Sequence, residues 1–176
     1  TPTLQDLAET YTPAFRALIN DAGVAEVMVT YNLYHHVPLC ANKPIIDYLK
    51  NQLNFRNLIM TDGGALNNMH NSQQYTPDAI HTAAAALNAG IHFELGSVYN
   101  NLTKAIELGL TNAALVDSAV RKVLTLRFML GEFDPPSMNP YNKISKDVLH
   151  CQKHIDLARE AAAKSMVLLK NNNNAL

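Results

Sequence analysis

The sequence predicts an α/β fold built from parallel βαβ units, and three observations carry that prediction. Three short runs, residues 24–31, 58–61 and 91–95, are largely apolar and lack helical period. Each is followed by a segment whose apolar residues recur at steps of three and four, or by an Ala-rich stretch. Buried strands that alternate with helices form parallel sheets, because the crossover helices cover the sheet faces. The 176 residues are 48% hydrophobic and 16% charged, enough apolar material for a core and too much for a disordered chain.

In chain order, Leu4, Leu7, Tyr11, Phe15, Leu18 and Ile19 mark an opening helix. Pro13 either kinks it or opens a second helix with Thr12 as N-cap. Residues 24–31 form the first strand. Lys43–Asn51 returns to helical spacing through Ile45, Ile46 and Leu49. Leu58–Thr61 is the second strand. Thr76-Pro77 reads as an N-cap with Pro at the first helical position, opening the Ala-rich helix that Gly90 closes. Residues 91–95 are the third strand. A short helix over 102–108 and a longer one through Val116, Val120, Val123 and Leu130 follow, the latter ended by Gly131.

The composition changes after Gly131. Pro135, Pro136 and Pro140 lie within a few residues, so 132–145 reads as a Pro-rich linker. Ile155, Ala158, Ala162 and Met166 then give one more amphipathic helix, and Val167-Leu168-Leu169 starts a strand. A strand with nothing to pair with leaves backbone groups unsatisfied. Residues 146–176 are therefore expected to open a second domain.

The charge balance narrows the function. Lys+Arg number 14 and Asp+Glu 15, so no basic footprint for nucleic acid and no polybasic membrane patch is present. No apolar run is long enough to span a bilayer. The first residues lack the basic start and apolar stretch of a signal peptide, and the chain is expected to begin mid-protein. Cys40 and Cys151 cannot form a disulfide framework. The seven histidines follow no metal-binding spacing, and no phosphate-cradling glycine loop exists. Asn101-Leu102-Thr103 is a glycosylation sequon.

Three strand ends attract attention. Asp62 directly follows the second strand and precedes Gly63-Gly64. Asp-Gly is a common turn, and spacing alone favours that reading; the alternative is a carboxylate presented where parallel α/β folds place their chemistry. Tyr31 ends the first strand. Glu94 lies in the third, where an acidic residue is either paired or faces a site.

These segments together resemble glycoside hydrolase family 3, the β-glucosidase and β-xylosidase family. Residues 27–32 and 37–43 resemble the segment ending the sixth barrel strand. Phe55 through Thr61-Asp62 resembles the seventh, and Ala89-Gly90 with residues 94–99 the eighth. Residues 121–136 are similar to the last barrel helix and linker, and residues 154–171 to the entry of the family's α/β-sandwich domain. The resemblance implies three parallel βα units of a partial (β/α)8 barrel over residues 1–131, then the linker and the start of the sandwich. It implies a retaining β-glycosidase acting on terminal non-reducing β-D-xylosyl or β-D-glucosyl residues, with the xylosidase branch fitting best.

On that resemblance Asp62 is the nucleophile and Tyr31 lines the −1 sugar subsite; Glu94, by its place in the neighbouring strand, is the local alternative for a second, substrate-binding carboxylate, although the family does not usually place its acid/base there. No metal or organic cofactor is implied. The substrate is a β-linked oligosaccharide or glycoside, and the parent protein is expected to be periplasmic or secreted. The chain departs from the pattern at His35-His36, where the family has Asn-Gly, at Gly63, where it has Trp or Cys, and at His92, often Asp. A full barrel needs roughly 250 residues, and the family's Lys-His pair, substrate Arg and acid/base Glu find no counterpart here. The chain is thus expected to be a segment, inactive alone, that needs the remainder of the barrel and second domain. A non-catalytic fragment packing on a partner chain and a small flavodoxin-like binding domain are the competing readings.

Overall fold

The structure, a computed structural model, describes residues 2–174. The chain divides into two compact units, one up to Leu130 and one from Gly131 onward.

The first unit starts with α1 (Leu4–Asp6). Thr3 and Asp6 form a capping box: the Asp6 N–H donates to Thr3 Oγ1 at 3.1 Å, and the Thr3 N–H donates to Asp6 Oδ2 at 2.8 Å. A π turn over Leu7–Tyr11 leads to α2 (Pro13–Asn20). Pro13 therefore opens a second helix, since its missing N–H costs nothing at the first position. Thr12 stands at the N-cap position without capping, because its hydroxyl donates back to the Leu7 carbonyl at 2.6 Å.

The first strand, β1, is Glu26–Val29, shorter than residues 24–31. A hairpin absent from the expected elements follows, β2 (Leu33–Tyr34) against β3 (Val37–Pro38). Its turn residues His35 and His36 have φ of +50° and +62°. Such two-residue turns demand the left-handed region, which Asn-Gly announces in a sequence and His-His does not.

Helix α3 (Lys43–Asn51) is capped by Asn42, whose Oδ1 accepts from the Ile45 N–H at 3.3 Å, and it buries Ile46 and Leu49. The second strand is β4 (Leu58–Thr61), parallel to β1 in the register Glu26↔Leu58 to Val29↔Thr61. Then come α4 (Ala65–His70), which sequence spacing did not separate, and α5 (Ala79–Ala89). The start of α5 differs from expectation: Asp78, not Thr76, is the N-cap. Asp78 is extended, and its carboxylate takes the His81 N–H at 2.9 Å. A charged acceptor suits the positive end of a helix better than a hydroxyl. Gly90 closes α5 at φ +104°. Helices α6 (Leu102–Glu107) and α7 (Ala113–Met129) complete the unit, α7 being capped by Asn112.

Residues 91–95 do not form a full strand. They touch β4 through one parallel bridge, Met60↔Phe93. Two side chains explain the shortfall. The Ile59 N–H donates to the His92 ring nitrogen Nδ1 at 3.0 Å, and the Ile91 carbonyl accepts the Tyr99 hydroxyl at 2.8 Å. Groups that would extend the ladder are thus satisfied by side chains.

The result is an α/β unit in which helices outweigh strands. Ile46, Leu53, Phe55, Ile59, Leu66, Met69 and Ile91 form its buried core.

The second unit contains 3-10 turns at Pro136–Met138, Pro140–Lys143 and Lys146–Val148, then α8 (Gln152–Ser165). The Pro-rich stretch is thus turned rather than extended. Val167-Leu168-Leu169, expected to start a strand, pairs with nothing among the described residues and is exposed. No helix among the described residues is long and apolar enough to cross a membrane.

Candidate active site

Asp62 leaves β4 at its carboxyl end. Leu58 and Ile59 are buried and Thr61 is fully buried, so the strand beneath the carboxylate is fixed by packing. The Asp62 N–H continues the ladder by donating to the Val29 carbonyl at 2.9 Å. Its own carbonyl accepts the Ala65 N–H at 3.1 Å, which starts α4. The flanking residues are held as well. The Thr61 N–H donates to Phe93, the Leu95 N–H to Thr61 Oγ1 at 3.2 Å, and the Gly64 N–H to Leu95 at 2.9 Å. The Asp62 backbone is therefore clamped on both sides, while Oδ1 accepts from the Gly63 N–H at 2.6 Å.

Gly64 turns the chain at φ +71°, a conformation that favours glycine. Gly63 has no such need, and a Cβ placed there would meet no atom within 4 Å. Space beside the carboxylate is open.

Tyr31 comes to the same place. Its hydroxyl donates to the Gly63 carbonyl at 2.6 Å. Desolvation first, then the Asp62 carboxylate, raises the phenol above its ordinary pKa. The carbonyl of Tyr31 accepts from Gln73 Nε2 at 2.7 Å. So the structure brings Tyr31 and Asp62 together across one residue, Gly63.

Glu94 lies close in sequence to this rim but is turned inward. It is buried, and both oxygens are engaged by backbone: Val98 N–H to Oε1 at 2.9 Å and Tyr99 N–H to Oε2 at 2.6 Å. Gly96 makes room for it, since a Cβ there would lie 2.5 Å from Oε1. A carboxylate with both oxygens committed to N–H donors holds a loop, here residues 94–99. That loop is the one whose Leu95 clamps Thr61 and Gly64.

Spacing alone did not single out four contributors: Thr61, through its hydroxyl, Cys40, Gln73 and Tyr99. Cys40 is buried, its Sγ 3.7 Å from the Thr30 carbonyl, and burial, then Asp62 and Glu94, push its thiol up to about 12. A thiol held that firmly protonated is a poor nucleophile. Three of the histidines serve locally. His92 accepts from Ile59, His70 Nδ1 meets Thr82 Oγ1, and His81 meets Asp78. Among the described residues no group of three His, Cys, Asp or Glu could hold a metal. In the sequon, Asn101 Nδ2 is spent on the Val98 carbonyl at 2.9 Å.

A strand-end carboxylate thus stands beside a phenol on an α/β frame, and comparison with known proteins identifies the class of the chain. Residues 1–126 match the family model described as the glycosyl hydrolase family 3 N terminal domain. The chain belongs to that family.

It is 34% identical over 175 residues to a xylan 1,4-β-xylosidase of Xylanibacter ruminicola, covering 98% of this chain and 20% of that protein. It is 33% identical over 172 residues to a probable exo-1,4-β-xylosidase of Aspergillus flavus, covering 95% of this chain and 22% of that one. It superposes on the crystal structure of a β-glucosidase from Listeria innocua in complex with glucose. The TM-score is 0.79 at 28% identity, covering 99% of this chain and 24% of that one. The chain thus spans about a fifth of the length of these curated relatives.

Proposed function

We propose that these residues supply the nucleophile side of a retaining β-glycosidase. In this reading the first unit is the last three βα units of a (β/α)8 barrel, residues 132–145 are the linker, and residues 146–176 open the sandwich domain. The parallel β1–β4 pair and the parallel bridge to residue 93 support the barrel arc. Asp62 attacks the anomeric carbon as the glycosidic C–O bond breaks and the departing oxygen takes a proton from the acid/base carboxylate; water, deprotonated by that same carboxylate, then hydrolyses the glycosyl–Asp62 ester. Tyr31 lines the sugar at the −1 position, and Glu94 holds the loop that clamps the nucleophile's backbone. The acid/base carboxylate and the remaining sugar contacts come from outside these residues, so the partner of this segment is the rest of the barrel and second domain.

One observation carries the reading: Asp62 sits on a rigid strand end with open space beside it. A nucleophile has to be held within a fraction of an ångström of its target, and strands do this better than loops. The substrate is a terminal β-xyloside or β-glucoside. We expect the xyloside to be favoured, in keeping with the xylosidase relatives and with Gly63 standing where the family's glucosidases carry an aromatic wall.

A 2-fluoro xyloside with a good leaving group tests the assignment in a full-length enzyme carrying these residues. Peptide mapping is expected to find the covalent sugar on Asp62. Labelling on Glu94, or turnover undiminished in Asp62→Ala, would overturn it. The ratio of kcat/KM for aryl β-xyloside and aryl β-glucoside tests the sugar preference separately.

A further inference from the structure

We propose that Gln73 is a positioning residue for this site: its side-chain amide fixes the Tyr31 loop and, through Tyr31, Gly63, the residue whose N–H bonds the Asp62 carboxylate. The inference rests on the reading of Asp62 as nucleophile, and it starts from an anomaly. Gln73 Oε1 is buried and has no hydrogen-bond partner among the described residues. Buried amide oxygens without a partner are uncommon, and each calls for a reason.

The reason is the other end of the amide. Gln73 Nε2 donates to the Tyr31 carbonyl at 2.7 Å, across 42 positions of sequence. Flipping the amide would satisfy nothing at Tyr31, because it would set one oxygen lone pair against another. The nitrogen must face Tyr31, and that orientation forces the oxygen into its unpaired place. The bond to Tyr31 therefore dictates the arrangement.

What hangs on that bond is the rim of the site. The β1 ladder is last engaged at Val29, whose carbonyl takes the Asp62 N–H. Beyond it the chain runs toward the strained hairpin turn at His35 and His36. Tyr31 lies between, and its carbonyl is tied to Gln73. Its hydroxyl then donates to the Gly63 carbonyl at 2.6 Å, and the Gly63 N–H donates to Asp62 Oδ1 at 2.6 Å. Gln73, Tyr31, Gly63 and Asp62 form one series of short hydrogen bonds. No hydrogen bond joins Gln73 to the Asp62 carboxylate among the described residues. It acts by holding Tyr31 and, through it, Gly63.

Gln73→Met tests this in a full-length enzyme carrying these residues. Methionine matches the length, deletes the donor and removes the orphan oxygen at once, so the thermal midpoint should stay close to that of the parent. The turnover of aryl β-xyloside should fall about tenfold or more, with KM little changed, because a misplaced nucleophile slows chemistry rather than binding. In protein carrying 3-fluorotyrosine, the 19F resonance of Tyr31, assigned with Tyr31→Phe, should shift in Gln73→Met. It should not shift in Ser72→Ala, at an exposed neighbour. A parental kcat in Gln73→Met, or an unmoved Tyr31 resonance, overturns the proposal. Loss of stability with parental turnover per folded molecule also overturns it, leaving a structural role only. The control for the underlying reading is Asp62→Ala: if that variant stays active, the nucleophile assignment fails, whereas the fluorine signal still reports whether Gln73 holds Tyr31.

Discussion

The loops that follow β4 and β1 meet at one hydrogen bond, from Tyr31 to Gly63, yet they are held in different ways. The β4 loop is pinned by backbone: Asp62 to Val29, Ala65 to Asp62, Gly64 to Leu95, with Thr61 fully buried beneath. The β1 loop leaves its ladder early and is held by side chains, Tyr31 on Gly63 and Gln73 on Tyr31. It then passes through two histidines in the left-handed region. Tyr31 is 42% exposed, whereas Thr61 is 0% exposed. The difference matches the tasks proposed for them. A nucleophile requires a fixed approach to its carbon, while a phenol that meets a sugar can adjust. Substitutions in the β4 loop should therefore act on chemistry or on folding directly, and substitutions in the β1 loop more weakly, reaching the chemistry only through the bond from Tyr31 to Gly63.

The largest effect is expected at Asp62. In a full-length enzyme, Asp62→Ala should lower kcat on aryl β-xyloside by a factor on the order of 10⁴. Its melting temperature should stay near that of the parent, because the carboxylate's hydrogen bond goes to its own neighbour, Gly63, and the Tyr31 hydroxyl beside it keeps its bond to the Gly63 carbonyl. A large drop in melting temperature would show that the β4 loop depends on this carboxylate for its shape, and the comparison would lose its sharpest line.

Glu94 should show the opposite balance. Removing its carboxylate in Glu94→Ala leaves the buried N–H of Val98 and the N–H of Tyr99 without acceptors. Two charge-assisted bonds and an orphaned buried donor are worth about 3 kcal/mol. Urea unfolding should show that loss, with activity per folded molecule reduced far less than in Asp62→Ala. If instead KM rises while stability holds, Glu94 reaches substrate, and its inward geometry is not the working one.

The third effect is pH-dependent and sits at the base of the β4 loop. His92 accepts the Ile59 N–H, so it has to be neutral at Nδ1. Burial first, then Lys50 and Lys122, lowers its pKa from 6.5 to about 4. The sign follows from linkage. Above pH 6.5 folded and unfolded forms are both neutral at this residue. As pH falls from 6.5 toward 4 the unfolded chain takes up a proton that the folded chain refuses, and stability declines. His92→Asn keeps an acceptor but does not titrate. The difference in melting temperature between parent and variant should therefore change across that window and be flat above it. A difference that stays constant from neutral pH to pH 4 would mean the ring is already free of Ile59.

Much of this was legible in the sequence, and the rest was hidden for identifiable reasons. The strand at residues 58–61 could be read because four apolar or β-branched residues stand between polar turns, and Asp62 because it follows them directly. The Gly90 cap lies where the helix stop signal puts it, whereas the Asn42 and Asn112 caps came only with the structure. The third strand could not be read correctly. Ile91, Phe93 and Leu95 have strand composition, but the ladder is cut by His92 and by Tyr99, which binds from eight residues away. Val167-Leu168-Leu169 has strand composition too, and composition supplies no partner. Within the site, the carboxylate and the phenol were visible as residue types at strand ends. Gln73 was not. It is a polar residue in a polar loop, and only folding brings it to Tyr31 from 42 positions away. Glu94 was visible as a buried acid, but which way it points depends on Gly96 making room.

The smallest effect is expected in the hairpin turn, where the two histidines should respond differently. Each pays a left-handed backbone cost of about 1 kcal/mol, less for His than for bulkier residues. Glycine adopts that region freely but loses more entropy on folding, so replacing both would return only part of the cost. His35 has a compensation: its ring packs edge-on to Tyr34, with centroids 4.4 Å apart and planes at 82°. Such a contact is worth about 0.5–1.5 kcal/mol, which offsets the backbone cost. His36 is exposed, and its side chain makes no hydrogen bond or ring contact among the described residues. His36→Gly should therefore raise stability by up to about 1 kcal/mol, seen as a melting temperature higher by a few degrees. His35→Asn should be close to neutral, because the gain in turn propensity is offset by the lost ring contact. Equal gains from both substitutions would show that the Tyr34 contact contributes nothing. A fall in kcat on either, with Asp62 still labelled by the fluoro sugar, would show that the β1 loop sets chemistry as tightly as the β4 loop does.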